Sequence, residues 1–309
     1  MKDMKTLMTE WRTYETSLIN EKADPRKLDP ARFPKALSQV DPGAAKTAVS
    51  TGQDKVDKGN EDDVIPVNLK GAWPAKTLRP SQNSMNLGKA AWFALGMANG
   101  TMFGSGGPGG QLGAFVSNDN YMMDGHHRWA ATSMIKPDAT INGYAVDFPG
   151  EELVRVLNTI TKGLLGVPKG KPGKGSFKSF GDINAVTQTL ANLAKDEQDN
   201  GKGGAFTGVA GAMTPGKALE VMEAQTGQKG EAAVKAMAKI MVANVKSVPG
   251  MSDSAVMPGA SARPDMPVID DDPKSGSKQP ATKLAVAALS QGQVDVNPPY
   301  GKSGGSKKG

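Results

Sequence analysis

Tyr121-Met122-Met123-Asp124-Gly125-His126-His127-Arg128-Trp129-Ala130-Ala131-Thr132-Ser133-Met134-Ile135 concentrates more chemistry than any other stretch of this 309-residue chain. Tyr121 to Met123 has the composition of a short strand, and Asp124-Gly125 is a turn pair in which glycine is free to take positive φ. The remainder has helical spacing. Trp129, Ala130, Ala131, Met134 and Ile135 share one packed face, Lys136 sits at the negative C-terminal end, and Pro137 stops the element.

A helix N-terminus leaves backbone N–H groups unpaired and favours negative charge. Here the sequence places His126, His127 and Arg128 at that end. Three potentially cationic side chains oppose the macrodipole unless an anion, or Asp124 acting as a cap, compensates. Phosphate is the simplest such anion. The bland reading makes Asp124 the cap, one imidazole a satisfied core group and Arg128 half of a salt bridge. Against it, His126 and His127 are the only two histidines in the chain and stand side by side before an arginine.

The run Asp124-Gly125-His126-His127-Arg128-Trp129-Ala130-Ala131 resembles the signature of ParB/sulfiredoxin-like domains, particularly the ParB-like nuclease branch of phage and bacterial proteins. In that superfamily the turn before the helix binds phosphate. Partition proteins carry Gly-Glu-Arg-Arg there and sulfiredoxins Gly-Cys-His-Arg. Aligned on Gly125, this chain keeps His127 and Arg128 of the sulfiredoxin pattern and has His126 where the reactive cysteine would stand. The chain has no cysteine, so sulfiredoxin chemistry is excluded. Only Gly125 and Arg128 match the partition-protein pattern, which argues against a CTP-driven DNA clamp. Leu78-Arg79-Pro80-Ser81-Gln82 is similar to the Pro-Ser/Thr-Gln segment that follows the first strand in the family.

Working outward, Val64 to Leu69 has strand composition, Asn86 to Asn99 reads as a helix, and Gly113 to Ser117 reads as a strand joined to Tyr121 through Asn118-Asp119-Asn120. Ile141 to Phe148 alternates as a strand with Tyr144, Val146 and Phe148 on one face. Glu151 to Lys162 is the clearest helix, with Leu153, Val156, Leu157, Ile160 and Leu164 on one side. Gly104 to Gly109 formally fits a dinucleotide-binding glycine pattern, yet no strand leads into it, so it reads as a loop.

The expected fold class is therefore α/β: a small mixed-sheet ParB/sulfiredoxin-like domain over residues 62–165, followed by an α-helical region over 182–247. An amphipathic helix over 1–19 with Met4, Leu7, Met8, Trp11, Tyr14 and Leu18 on one side offers a docking face for a protein partner. Residues 20–61 are expected to be a flexible linker with a short helix near Ala31 to Val40, and 248–309 a mostly disordered tail with a short helix at Ala281 to Leu289. The segment 166–181 is a basic Gly/Pro-rich loop whose Lys169, Lys171, Lys174 and Lys178 are candidate contacts to nucleic-acid phosphates.

Composition sets outer limits. The net charge of +6, with a pI near 9.2, permits a polyanionic partner without requiring one. Absence of cysteine removes disulfides, thiolate nucleophiles and cysteine-ligated zinc. Asp3, Glu10 and Glu15 interrupt the N-terminal apolar positions, and no apolar run is long enough for a membrane span. A soluble, non-secreted protein is expected, in the cytoplasm of a bacterial host or in a virion.

The candidate chemistry follows from these residues. Gly125, His127 and Arg128, with the helix N-terminal amides, would bind phosphate. His126 or His127 would serve as general acid or base and Asp124 would orient an imidazole, giving a phosphodiester or nucleotide hydrolase. Asp119 and Asp147 are candidates for a further acid opposite the turn. Adjacent helical side chains point about 100° apart, so both histidines are poorly placed for one ion; the metal ligands stay unknown, with Mg2+, Mn2+ or a nucleotide as candidate cofactors. The alternative is a non-catalytic phage accessory or virion-associated module that binds DNA or protein. Protein phosphorylation or another nucleotide-dependent transfer ranks lowest.

Overall fold

The computed structural model describes residues 23–49, 62–100, 111–166, 175–195, 215–260, 265–269 and 281–296. Its centre is a strand with both faces buried. In β4 (Tyr121–Asp124), Met122 packs into the core on one side of the sheet, while Tyr121 and Met123 pack on the other. Pleating sends successive side chains to opposite faces, so a run of three buried residues needs cover on both. The neighbouring strand β3 (Gln111–Ser117) repeats the division, with Ala114 and Val116 on the first face and Phe115 on the second.

Five strands make the sheet, in the order β1-β5-β3-β4-β2, where β1 is Val67–Pro74, β2 Arg79–Pro80 and β5 Thr140–Val146. The β1/β5 and β3/β4 pairs are antiparallel; β3/β5 and β2/β4 are parallel. The architecture is thus mixed α/β, as the sequence implies. The β3–β4 turn is the Asn-Asp-Asn triplet, closed by Asn120 at φ 65 and by Ser117 Oγ, which accepts from Tyr121 N–H at 3.0 Å.

On the first face lie α2 (Leu87–Ala98) and α3 (His126–Ile135), joined in one continuous apolar core by α5 (Lys178–Gly181), α6 (Ile183–Lys195), α7 (Pro215–Thr226) and α8 (Gly230–Lys246). Trp129 in α3 is fully buried, and its indole N–H donates to Ala75 O at 2.8 Å. Asn244 in α8 donates to Met134 O at 2.8 Å and Ile135 O at 3.2 Å, so α8 satisfies carbonyls at the C-terminal end of α3.

On the second face lies α4 (Gly150–Gly163), started by Glu151 and Glu152 in its first turn and burying Leu153, Val156, Leu157 and Ile160. Leu164, expected on that buried face, is 36% exposed because the helix ends at Gly163, where a Cβ would overlap the Ala45 carbonyl. The second face also takes α1 (Pro42–Ala48) and α9 (Ala281–Ser290).

The flanks depart from expectation. Within the segment read as a flexible linker, residues 23–49 fold against α4: Phe33 and Leu37 are fully buried, Arg155 donates to Phe33 O at 2.9 Å, and Asn158 donates to Lys35 O at 2.7 Å. The short helix near Ala31 to Val40 is instead a set of turns with one 3-10 turn at Leu37–Gln39, and helix forms at α1, where Asp41 caps Ala44 N–H at 2.7 Å and Pro42 opens the first turn. Likewise residues 249–260, 265–269 and 281–296 of the segment read as a disordered tail bury Met257, Met266, Ile269, Leu289, Val294 and Val296. The strand expected at Val64 to Leu69 begins later because Val64 O accepts from Ala23 N–H and Ile65 N–H donates to Leu289 O, both at 3.0 Å, which ties that stretch to the flanks. The N-terminal helix over 1–19 lies outside the described residues, as does most of the glycine run before β3.

Two outcomes test this packing. Phe33→Ala should lower stability by about 3–5 kcal/mol, the range for truncating a buried aromatic, whereas an unpacked tether would give under about 0.5 kcal/mol; urea melts decide. The second concerns the α7–α8 corner, where Glu223 accepts from Gly230 N–H at 2.9 Å and from Lys229 Nζ at 2.7 Å. The Gly230 amide first, and Lys229 second, hold its carboxyl below the usual carboxylate range. A lowered folded pKa adds stability that is fully present above the unfolded value and is lost as pH falls through the folded one. Glu223→Gln should therefore melt earlier than wild type near pH 7, and the gap should close as pH drops below about 4.

Candidate phosphate site at the β4–α3 turn

The turn is built by one backbone conformation. Gly125 stands at the N-cap position of α3 with φ 94 and ψ 9, the left-handed region. A Cβ there would meet Ala114 at an ordinary 3.5 Å, so it is the dihedral rather than space that calls for glycine. The helix then opens with His126, and Trp129 N–H donates to Gly125 O at 2.9 Å, closing the first turn.

Asp124 does not cap this helix. No side-chain cap bond is made at the α3 N-terminus; Asp124 belongs to β4, and its Oδ2 faces Arg128 Nη2 at 3.7 Å. That separation exceeds a hydrogen bond, so the pair is a loose electrostatic contact between side chains 17% and 27% exposed. Arg128 is half-buried and lies in the first turn of the helix.

Both imidazoles face the β2–α2 loop. His126 is buried, 5% exposed, and its Nε2 accepts from Ser81 N–H at 3.2 Å with Ser81 Oγ at 3.4 Å. His127 is half-buried, and its Nε2 accepts from Asn86 N–H at 3.2 Å. An Nε2 that accepts from an amide keeps its lone pair there and carries no proton, which is the neutral ring with hydrogen on Nδ1. The two histidines therefore pin both ends of the loop from Ser81 to Asn86. A general-base role through either Nε2 would first require that pin to break.

Ser81 and Asn86 were not legible as partners of the histidines. The available signals were Pro80-Ser81-Gln82, similar to a family segment, and Asn86 as a helix-start residue. Asn86 does both tasks: its Oδ1 accepts from Lys89 N–H at 2.8 Å, capping α2, while its own N–H goes to His127. Pairing of β2 with β4, Arg79 opposite Tyr121 and Pro80 opposite Met122, carries the loop to the turn. Arg79 lies over the Tyr121 ring at 4.1 Å and donates to Asp119 O at 2.7 Å.

Asp119 and Asp147 are not opposite the turn. Asp119 lies before the first residue of β4, where its Oδ1 takes the Ser117 hydroxyl and Gly150 N–H at 3.0 Å; Asp147 accepts from Asn118 Nδ2 at 3.2 Å. The length of β4, four residues or about 13 Å, separates that end of the strand from Gly125. Both acids fasten the β3–β4 turn and the start of α4 instead.

Of the basic-loop lysines, Lys169, Lys171 and Lys174 fall outside the described residues. Lys178 is 86% exposed on α5, 4.0 Å from Asp253. Gly175, just after the three, packs on the Met85 carbonyl, where a Cβ would overlap it. Among the described residues no group of three or more His, Asp or Glu side chains is placed to share a metal ion, and no helix is long and apolar enough to cross a membrane. Compared with known proteins, the chain matches no family model, no curated protein and no solved structure.

Proposed function

We propose that the chain is a ParB/sulfiredoxin-like phosphate-binding protein whose ligand is nucleic acid or a nucleotide, held at the turn from Gly125 to Arg128. The observation that carries the reading is the start of α3: it opens on a left-handed glycine, has no side-chain cap, and sets Arg128 in its first turn with only a 3.7 Å contact to Asp124. Backbone amides and the helix dipole favour an anion at such an end, and a guanidinium adds a planar pair of donors for two phosphate oxygens. Lys169, Lys171, Lys174 and Lys178 would supply sequence-independent contacts to further phosphates.

Within this reading the two imidazoles decide between cleaving and holding. His126 and His127 accept backbone amides at Nε2, which favours the non-catalytic module, a phage accessory or virion-associated DNA- or protein-binding protein. Hydrolysis of a phosphodiester or nucleotide, with Mg2+ or Mn2+, requires the loop from Ser81 to Asn86 to release one ring.

A thermal-shift panel at low salt tests both levels, using single- and double-stranded DNA and the four nucleoside triphosphates, each with and without Mg2+ or Mn2+. A ligand at about 100 times its Kd stabilises the native state by roughly 2.7 kcal/mol, a shift of several degrees. Wild type should shift and Arg128→Ala should not. Equal shifts in the two proteins, or none in wild type, overturn the phosphate site. Metal-dependent strand cleavage lost in His126→Gln or His127→Gln would establish hydrolysis; binding without cleavage establishes the module.

A further inference from the structure

Helix α8 exposes Lys235, Lys239 and Lys246. Separations of four and seven residues bring the three within about 40° of one another around the helix and spread them over roughly 16 Å of its length. Lys235 is paired with Glu231 at 2.7 Å; among the described residues Lys239 and Lys246 have no acidic partner.

The row ends at a cleft. Lys246 and Lys178 both line an opening of about 340 Å3 between α8 and α5, together with the apolar side chains of Phe177, Val245, Val248 and Met251. Asp253 also lines it, 4.0 Å from Lys178, so the basic groups outnumber the acidic one. The volume lies in the range of small-molecule sites. Apolar walls give a phosphate nothing to bind, and lysines at the mouth give a neutral apolar ligand nothing either. A flat, largely apolar ring carried on a polyanion uses both.

We propose that the α8 lysine row and this cleft form a contact for single-stranded nucleic acid, with phosphates along Lys239 and Lys246 and one unstacked base in the cleft. Bases in a duplex are stacked and cannot enter, whereas in a single strand each base has a free face, and such a contact tolerates any sequence. The surface is separate from the Gly125 turn, and it specifies a strand form that the turn leaves open.

Gly181 supplies the decisive variant. It lines the cleft, and a Cβ added there meets no atom within 4 Å, so a side chain can start there and Gly181→Phe is the variant aimed at filling the opening. Fluorescence anisotropy would compare a labelled oligothymidylate with an abasic strand of equal length and with a duplex. Wild type should bind oligothymidylate about tenfold more tightly than the abasic strand, a difference within the range for one stacked base. Gly181→Phe, with its melting temperature retained, should bind both strands equally, at the abasic affinity. Lys239→Gln/Lys246→Gln should weaken binding to both strands and reduce the salt slope by about 1.4, roughly 0.7 for each lysine. Arg128→Ala separates the two sites: weakened binding that keeps the base preference reports on the turn alone. The cleft assignment is overturned if wild type binds oligothymidylate and abasic strand alike, binds duplex as tightly, or binds no strand, or if Gly181→Phe keeps the preference. An unchanged salt slope in the double lysine variant overturns the lysine row.

Discussion

The constraint on which the rest of this structure depends is that its central strands have no wet face. Met122 points one way from β4 and Tyr121 and Met123 the other, with all three buried. Burying a large apolar side chain contributes roughly 1.5–3 kcal/mol relative to exposure, so leaving either face open would forfeit several such terms. Helices α2 and α3 cover the first face, with α8 packed against α3. The second has α4 alone from the segment 62–165, and a single helix does not cover a five-stranded sheet. Phe33, Ala48, Met266 and Leu289, drawn from both ends of the chain, complete that layer.

This explains which parts of the fold could be read in advance. A period of two in β5, a period of 3.6 in α4, and stop signals such as Pro137 are local, and local patterns survive in the sequence. The covering of the second face is not local. Phe33, Leu37 and Val40 do have helical spacing, but they lie among Lys, Asp and Pro in turns rather than a helix, and Met257, Met266 and Ile269 are scattered among Pro, Ser and Gly, so neither set announces the surface that buries it. Their burial is set by an apolar surface elsewhere in the chain, and composition alone made them look like tether and tail. The start of α1 was the exception that could have been found, since Asp41-Pro42 is a cap followed by proline at the first helical position.

The turn at Gly125 divides in the same way. A strand, a glycine and a helix beginning at His126 were legible, because each is a statement about residues adjacent in sequence. What the histidines do was not, because their partners, Ser81 and Asn86, are brought there only by the parallel pairing of β2 with β4. Those bonds also change the electrostatics expected of the site. As neutral acceptors the two rings place no charge against the helix dipole, and Arg128 is left as the cation in the first turn. The conflict of three cations at one helix N-terminus reduces to one guanidinium beside one carboxylate, and an anion would be held by Arg128 and backbone amides rather than by imidazolium.

Helix α3 connects this turn to the other candidate surface. Its N-terminus presents Gly125 and Arg128, and ten residues, about 15 Å, later its last carbonyls are held by Asn244 of α8. Between the two, Trp129 binds Ala75 O and contacts the segment at Gly250, where a Cβ would lie 3.1 Å from the indole and overlap Leu78 O. The flanking residues Val248, Pro249 and Met251 line the cleft. A close-packed interior does not deform continuously. The turn and the cleft are therefore linked through the same packed core by one buried tryptophan and one asparagine. If both surfaces hold phosphate as proposed, a ligand long enough to reach both would be favoured over a small nucleotide that occupies one.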